Sequence, residues 1–257
     1  MHFGSSFLLA NSNYDPLRRT IFIVHGWAQS ATSNVNAVLV PAFLQAEDVN
    51  VFVVDWSAGA GISAGNDAPQ NAVASGLSVA RTIDWIVFET GANIGGFHLV
   101  GFSLGAHQVA VAGRNVQSGQ IPYITALDPG ANMEDSGHIF GPDAAIYTEA
   151  IHTNSGLMGH GDVVAHTDFF PNGGDYQPGC GIVNFVCSHE RYRKIHTAPR
   201  TYRSHTNKTQ SFYAYSSTHG ISCKYNKLNH QPIYYVPLLC MGLLSGEGLG
   251  HSATYAD

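Results

Sequence analysis

The residue best suited to chemistry in this chain is a serine with a glycine two residues away on each side, in the run Gly101-Phe102-Ser103-Leu104-Gly105. The surrounding residues 97–113 have the pattern of a short apolar strand, a tight turn and a helix of small residues. A serine on such a turn lies exposed at the carboxyl end of the strand, with a helix N-terminus behind it. The pattern therefore predicts Ser103 as a nucleophile.

The same pattern occurs a second time, in Gly61-Ile62-Ser63-Ala64-Gly65. With 28 glycines in 257 residues such a match arises easily by chance, so the surrounding residues have to discriminate. Ser63 follows the apolar run 51–54 only after several residues, in a loop rich in alanine and glycine, and no strand delivers it directly to a helix. We therefore interpret Ser63 as a loop residue.

Attack by a serine hydroxyl on an ester needs a base for the proton, a carboxylate to orient that base and N–H donors for the oxyanion. Asp128 is the best candidate acid because it ends the next apolar run and precedes Pro129, although an aspartate before proline is also typical of a turn. Ten histidines follow Asp128. Among them, the residues alone leave His152 and His189 about equally suitable as the base.

Strands and helices alternate around these residues. Apolar and β-branched runs predict five strands, at residues 17–24, 51–56, 97–100, 124–127 and 144–151. Helical spacing of apolar residues occurs at 34–43, where Pro41 weakens the second half, at 68–89 and after Ser103. This alternation predicts an α/β fold with a mostly parallel central sheet and helices on both faces. Ligands bind at the carboxyl ends of such strands, where Trp27, Ser103, Asp128 and His152 fall.

The composition indicates a folded enzyme in one α/β domain over residues 1–257. Hydrophobic residues make up 44% and charged residues 12% of the chain, and the net charge of −6 speaks against a nucleic-acid partner. We expect no transmembrane segment, since the most apolar late stretch, 232–244, is too short and is interrupted by Pro237 and Gly242.

The cysteines indicate an oxidising compartment. They pair most simply in sequence order, Cys180 with Cys187 and Cys223 with Cys240, although three connectivities are possible. Asn207 begins a glycosylation sequon, which is weak further evidence for an oxidising, secretory compartment. Against export, residues 1–10 lack the basic region and long apolar run of a signal peptide, so the chain is either a fragment without its start or not exported.

Two further groups of residues have a plain and a functional interpretation. Six of the twelve Lys and Arg residues lie between Arg191 and Lys208, which is typical of a solvated face but also suits an anionic lipid surface. In the glycine-rich region beyond residue 153, four residues could gather as metal ligands: His160, Asp162, His166 and Asp168. Such residues more often form turns, so we predict no metal and no cofactor.

Five separate motifs together resemble the catalytic domain of the pancreatic lipase family, with the insect lipases and phospholipases A1 most similar. The resemblance covers the chain from about Arg19 to its end. The motifs agree in order and spacing: Phe102-Ser103-Leu104-Gly105-Ala106-His107, Ala126-Leu127-Asp128-Pro129, Ile151-His152-Thr153-Asn154, Asp168-Phe169-Phe170-Pro171-Asn172-Gly173-Gly174 and Cys187-Ser188-His189. The resemblance implies an α/β-hydrolase fold.

Carried onto the matching positions, the resemblance implies Ser103 as nucleophile, Asp128 as acid and His189 as base. It implies that the backbone N–H groups of Trp27 and Leu104 form the oxyanion hole. His152 becomes a structural histidine at a strand end, and the segment 168–174 a supporting loop.

The chain departs from the family pattern at the lid. In the family a disulfide closes the lid over the site, but here Cys180 and Cys187 enclose six residues, which are too few to cover a cleft: Gly181, Ile182, Val183, Asn184, Phe185 and Val186. Family members with a long lid favour triacylglycerol, whereas those with a short one resemble phospholipases A1. The short loop between Cys180 and Cys187 therefore favours phospholipase A1 activity over triacylglycerol hydrolysis.

Other family features are altered or missing. The segment 137–142 before Asp143 lacks the arginine and the first aspartate of the family's calcium site, so we predict no structural calcium. Compared with the family pattern, we expect neither the C-terminal lipid-binding sandwich domain nor the opening strand within these 257 residues.

The resemblance implies a secreted enzyme that hydrolyses carboxylic esters of lipids through an acyl-Ser103 intermediate, at a membrane, micelle or droplet surface. We expect phospholipase A1-type or neutral lipase activity. The alternatives are a triacylglycerol-specific lipase and a catalytically silent lipid-binding protein like the yolk proteins, although those have lost the serine that this chain keeps.

Overall fold

The computed structural model describes residues 4–61, 67–131, 133 and 137–191, and the backbone of two strands at 199–203 and 209–213. The helices are α1 (Ser6–Ala10), α2 (Asn34–Ala46), α3 (Ser57–Ala60), α4 (Ala68–Thr90), α5 (Leu104–Asn115) and α6 (Phe185–His189). The strands are β1 (Thr20–Val24), β2 (Asn50–Val54), β3 (Phe97–Phe102), β4 (Tyr123–Leu127), β5 (Tyr147–Ile151), β6 (Thr167–Phe169), β7 (Pro199–Arg203) and β8 (Thr209–Tyr213).

Six strands form one parallel sheet in the order β2-β1-β3-β4-β5-β6, and β7 and β8 pair separately as an antiparallel hairpin. The first strand lies next to the edge strand β2, and the later strands are added one after another on its other side. Every strand of the sheet therefore points the same way, and all carboxyl ends meet at one edge. The predicted α/β-hydrolase fold is confirmed.

The core lies on both faces of this sheet. One cluster packs α4 and α5 against β1, β3 and β4, and a second cluster packs α2 against the opposite face of β1 and β3. Every residue of β1 and β3 is buried, which explains why their sequences show no polar alternation.

Helix α5 sits unusually close to the strands, and glycine allows it. A Cβ on Gly105 would lie 2.3 Å from the carbonyl oxygen of Val24 and 2.6 Å from that of His25. The first turn of α5 therefore rests directly on the backbone at the end of β1. This contact fixes the turn that carries Ser103.

Several elements differ from the sequence prediction, and three of the differences have a clear physical reason. Helix α2 continues through Pro41 to Ala46. Pro41 has no N–H to donate to the carbonyl of Ala37, but both residues are exposed, so water can satisfy that carbonyl. Strand β5 begins only at Tyr147, after a short 3₁₀ turn at Pro142–Ala144. Strand β6 was not predicted, because its three residues are too few for a periodic pattern.

Candidate active site

Ser103 lies on a strained turn between β3 and α5. Its backbone angles are φ 55° and ψ −123°, which a residue with a side chain rarely adopts, and its N–H donates to the carbonyl of Leu127 at 3.0 Å. This conformation directs the hydroxyl out of the sheet edge instead of into the helix. The strand, turn and helix around Ser103 are those predicted from the sequence.

Asp128 follows β4, the neighbouring strand, and is fully buried. Its backbone is also strained, with φ 43°, and its N–H donates to the carbonyl of Ile151 at 2.8 Å. Oδ1 accepts the N–H groups of Thr153 at 2.7 Å and Asn154 at 3.1 Å, which leaves Oδ2 for another donor. Hydrogen bonds from two backbone amides therefore fix the orientation of the carboxylate.

His189 connects these two residues. Its Nδ1 lies 2.5 Å from Oδ2 of Asp128 and its Nε2 lies 2.9 Å from Oγ of Ser103. An ionised carboxylate only accepts, so Nδ1 carries the hydrogen and Nε2 is free to accept the serine proton. The arrangement can deprotonate a hydroxyl and stabilise the imidazolium that forms.

The two histidines that the residues alone could not separate lie at different sites. His189 ends α6 with its ring packed on Phe102, at 4.7 Å between centroids. His152 instead directs its Nε2 to Asp168, at 2.8 Å. Of the two, His189 is thus the one within reach of Ser103.

The turn after β1 supplies Trp27, the first predicted oxyanion-hole residue. The amides on either side are tied, because Gly26 N donates to Oε1 of Gln29 at 3.1 Å and Ala28 N donates to the carbonyl of Ala60 at 2.6 Å. A Cβ on Gly26 would lie 2.9 Å from the Cβ of Ser103, so the turn touches the serine. Leu104, the second predicted residue, begins α5 directly after Ser103.

Sequence reasoning missed two side chains that brace this region. His107 is fully buried; its Nδ1 accepts the N–H of Phe140 at 2.9 Å and its Nε2 donates to the carbonyl of Gly130 at 2.7 Å. Burial lowers the pKa of His107 to about 4, so it is neutral at pH 7. A histidine among the small residues of α5 was the one available signal.

The second missed side chain is Gln29. Besides accepting from Gly26, its Nε2 lies 3.4 Å from Oε1 of Glu190, the residue after His189. Gln29 therefore joins the turn at Trp27 to the segment that carries the histidine. Nothing in its local sequence indicated this contact, which spans 161 residues of chain.

The predicted disulfide between Cys180 and Cys187 is confirmed. The six residues inside it include strongly exposed apolar side chains, with Ile182 74% and Val183 79% exposed, and Asn184 caps α6 by accepting the N–H of Cys187 at 3.0 Å. The predicted partners Cys223 and Cys240, the sequon residue Asn207 and the rival Ser63 lie outside the described residues.

At the position of the family's calcium site, Asp143 is engaged by an arginine. Arg114 donates to both carboxylate oxygens, at 2.6 Å and 2.7 Å, and to the carbonyl of Ile139 at 2.9 Å. These hydrogen bonds hold the pKa of the Asp143 carboxyl below its usual range. The described residues here do not fit a calcium ion, because the guanidinium group of Arg114 already binds both carboxylate oxygens of Asp143.

The four candidate metal ligands of the glycine-rich region do not converge. Asp168 binds His152, His166 Nδ1 lies 3.0 Å from the Thr148 hydroxyl, and His160 Nδ1 accepts the N–H of Asp162 at 3.1 Å. Within the described ranges, no three His, Cys, Asp or Glu side chains form a group that could hold a metal ion. In the same part of the chain, no helix has the length and apolarity needed to span a bilayer.

Comparison with known proteins identifies the family. A family model described as Lipase matches residues 5–231. Lipase member H of Danio rerio is 34% identical over 196 residues, covering 71% of this chain and 42% of that protein. Pancreatic triacylglycerol lipase of Myocastor coypus is 34% identical over 186 residues, covering 69% and 40%. Inactive pancreatic lipase-related protein 1 of Mus musculus is 35% identical over 178 residues, covering 66% and 37%.

This chain therefore spans less than half the length of these relatives. The family model, by contrast, covers most of the chain, and its range includes Ser103, Asp128 and the disulfide-linked segment before His189. The chain belongs to the pancreatic lipase family.

Proposed function

We propose that the chain hydrolyses carboxylic esters of lipids through an acyl-serine intermediate. The observation that carries this proposal is the continuous chain of contacts from the Asp128 carboxylate through the His189 ring to the Ser103 hydroxyl. Oγ of Ser103 attacks the ester carbonyl while His189 Nε2 takes its proton, and Asp128 stabilises the imidazolium.

The remaining steps follow from the same geometry. The N–H groups of Trp27 and Leu104 stabilise the oxyanion of the tetrahedral intermediate. His189 then returns its proton to the leaving alcohol, which departs and leaves the acyl group on Ser103. Water attacks the acyl-enzyme with His189 again as base, which releases the fatty acid and restores the serine.

Exposed apolar side chains around the site support a lipid substrate at a membrane, micelle or droplet surface. They lie on three segments attached to the site: Trp27 in the turn beside Ser103, Leu157 and Met158 in the turn after Asn154, and the disulfide loop before His189. Exposed apolar residues of this kind are typical of surfaces that contact lipid or protein.

For the substrate class, the short disulfide loop supports phospholipase A1-type activity over triacylglycerol hydrolysis. The six residues between Cys180 and Cys187 are too few to cover the site, which favours a substrate with a bulky polar head group beside Ser103. A triacylglycerol-specific lipase is the alternative.

A silent lipid-binding protein on the same fold is the second candidate, favoured by a relative whose name calls it inactive. The intact contacts among Ser103, His189 and Asp128 argue against it. The disulfide supports an extracellular location, since such bonds persist in oxidising compartments.

The test compares the purified protein with Ser103→Ala on phosphatidylcholine labelled in its sn-1 chain and on triolein. Ser63→Ala is the matched control, because Ser63 lies in the chain's other glycine-serine-glycine run. We expect S103A to lose hydrolysis at least about 1,000-fold and S63A to keep it.

Equal rates for S103A and the unaltered protein would refute the serine mechanism. Saturable lipid binding without turnover would establish the silent protein instead, and release of label only from triolein would establish the triacylglycerol lipase.

A further inference from the structure

A second His–Asp pair lies beside the triad. His152 follows β5 directly and is fully buried, and its Nε2 lies 2.8 Å from Oδ1 of Asp168, the middle residue of β6. The ring stacks on Phe170 at 4.3 Å between centroids and 5° between planes. This pair is as close as many catalytic dyads, but the histidine hydrogen-bonded to Ser103 is His189.

The partners of the pair show that it acts as a clamp. Asp168 also accepts the N–H groups of Val164 at 3.0 Å and Ala165 at 3.1 Å, so its carboxylate serves only as an acceptor. The other ring nitrogen of His152, Nδ1, lies 3.1 Å from the carbonyl oxygen of His160. The two ring nitrogens thus face oxygen atoms of two different segments, Oδ1 of Asp168 and the carbonyl of His160.

The clamped segments converge on Asp128. Thr153 and Asn154, the two residues after His152, donate their N–H groups to Oδ1 of Asp128. His160, whose carbonyl the His152 ring holds, donates its own N–H to the carbonyl of Pro129 at 2.6 Å. Residues 153–154 thus hold the side chain of Asp128, and His160 holds the next residue, Pro129. Both segments contact the buried ring of His152 or follow it directly.

Asp128 needs such support because its backbone is strained, with φ 43°. A strained residue keeps its conformation only where the surroundings impose it. If the clamp loosens, the carboxylate moves relative to His189, and the base loses its orientation although all three triad residues are still present.

We propose that His152 and Asp168 are positioning residues for Asp128: the pair fixes the strand end and the turn that orient the carboxylate toward His189. The proposal rests on the function proposed above for the triad. Neither residue is hydrogen-bonded to the reacting serine, and the N–H groups of Thr153 and Asn154 carry their effect to Asp128.

The test uses His152→Leu, which removes both ring contacts, and His152→Gln, which keeps an amide donor for Asp168. The control is His98→Gln, which alters another buried histidine, bonded to Thr125 at 2.9 Å and placed at the start of β3, at the opposite end from Ser103. The kinetic parameters kcat and KM are measured on a soluble short-chain ester, and the folded fraction by circular dichroism.

We expect H152L to lower kcat about 100-fold with little change in KM, H152Q to recover part of that loss, and H98Q to match the unaltered protein. A second readout needs no turnover: the downfield ¹H NMR signal of the hydrogen between His189 Nδ1 and Asp128, recorded in a Ser103→Ala background. That signal should move or broaden in H152L and stay in place in H98Q.

The proposal is wrong if kcat per folded molecule and the NMR signal are both unchanged in the His152 variants, even where thermal stability falls. If H152L does not fold, H152Q and Asp168→Asn decide by the same two readouts. The NMR result is independent of the proposed function, since a shifted signal in a protein without esterase activity would retain the clamp and refute only the activity.

Discussion

Replacing Gly159 by alanine places a methyl group against the carboxylate of Asp128. A Cβ at this position would lie 2.5 Å from Oδ1, 2.7 Å from Cγ and 2.8 Å from Oδ2. Because an ordinary contact is about 3.5 Å, the two groups have to separate by about 1 Å. Either the carboxylate or the turn that carries residue 159 has to move.

The hydrogen bonds indicate that both moves disturb the acid. The carboxylate is held by Thr153, Asn154 and His189, and the turn is held to the same Asn154 because Gly159 N donates to its carbonyl at 3.0 Å. A displacement of about 1 Å near reacting groups lowers kcat about 100-fold. The cost in folding is that of one weakened hydrogen bond, about 1 kcal/mol.

The assay measures kcat, KM and urea unfolding of Gly159→Ala on a soluble ester. Gly161→Ala is the matched control in the same loop, because its Cβ would meet only the backbone of Gly156, at 3.5 Å. We expect G159A to lose kcat about 100-fold while G161A stays within about threefold of the unaltered protein. Equal activity of G159A and G161A would refute the reasoning that crowding at Asp128 controls the rate.

Two further predictions concern stability. The pKa of His107 falls from 6.5 to about 4 on folding, so between these pH values the unfolded chain binds a proton that the folded protein does not. The free energy of unfolding should therefore decline as the pH falls from 7 to 4, by about 3 kcal/mol more than in the His107→Gln variant. Urea unfolding of both proteins at pH 7 and pH 4 checks this, and parallel declines would contradict it. Replacing Cys180 and Cys187 by serine opens a loop with a sequence separation of 7, and we expect the free energy of unfolding to fall by about 2.5 kcal/mol. Chemical denaturation of the oxidised, reduced and substituted proteins measures it, and identical midpoints would show that the loop is held by other contacts.

The parallel sheet and the positions of Ser103 and Asp128 could be predicted because local patterns encode them. Each residue follows a buried apolar strand, and the carboxyl ends of parallel strands meet at one edge. The catalytic roles of both residues stay predictions until tested.

His189 could not be separated from His152 by such patterns. It lies on a helix of five residues in a glycine-rich region, where no periodicity is long enough to measure. Its hydrogen bond to Ser103 joins residues that are 86 positions apart in the sequence. Only the family resemblance therefore favoured His189 over His152 in advance. The braces at His107 and Gln29 were missed for the same reason: their partners are distant in sequence.

Three of the four non-glycine residues with positive φ in the described part of the chain surround the site: Ala28, Ser103 and Asp128. Each such conformation costs about 1–3 kcal/mol, and a whole domain of ordinary stability has only about 5–15 kcal/mol in reserve. The packing elsewhere in the fold has to offset this strain continuously. Selection for a more durable protein and selection for a faster one therefore oppose each other at these three positions, and gains in durability should accumulate far from the carboxyl edge of the sheet.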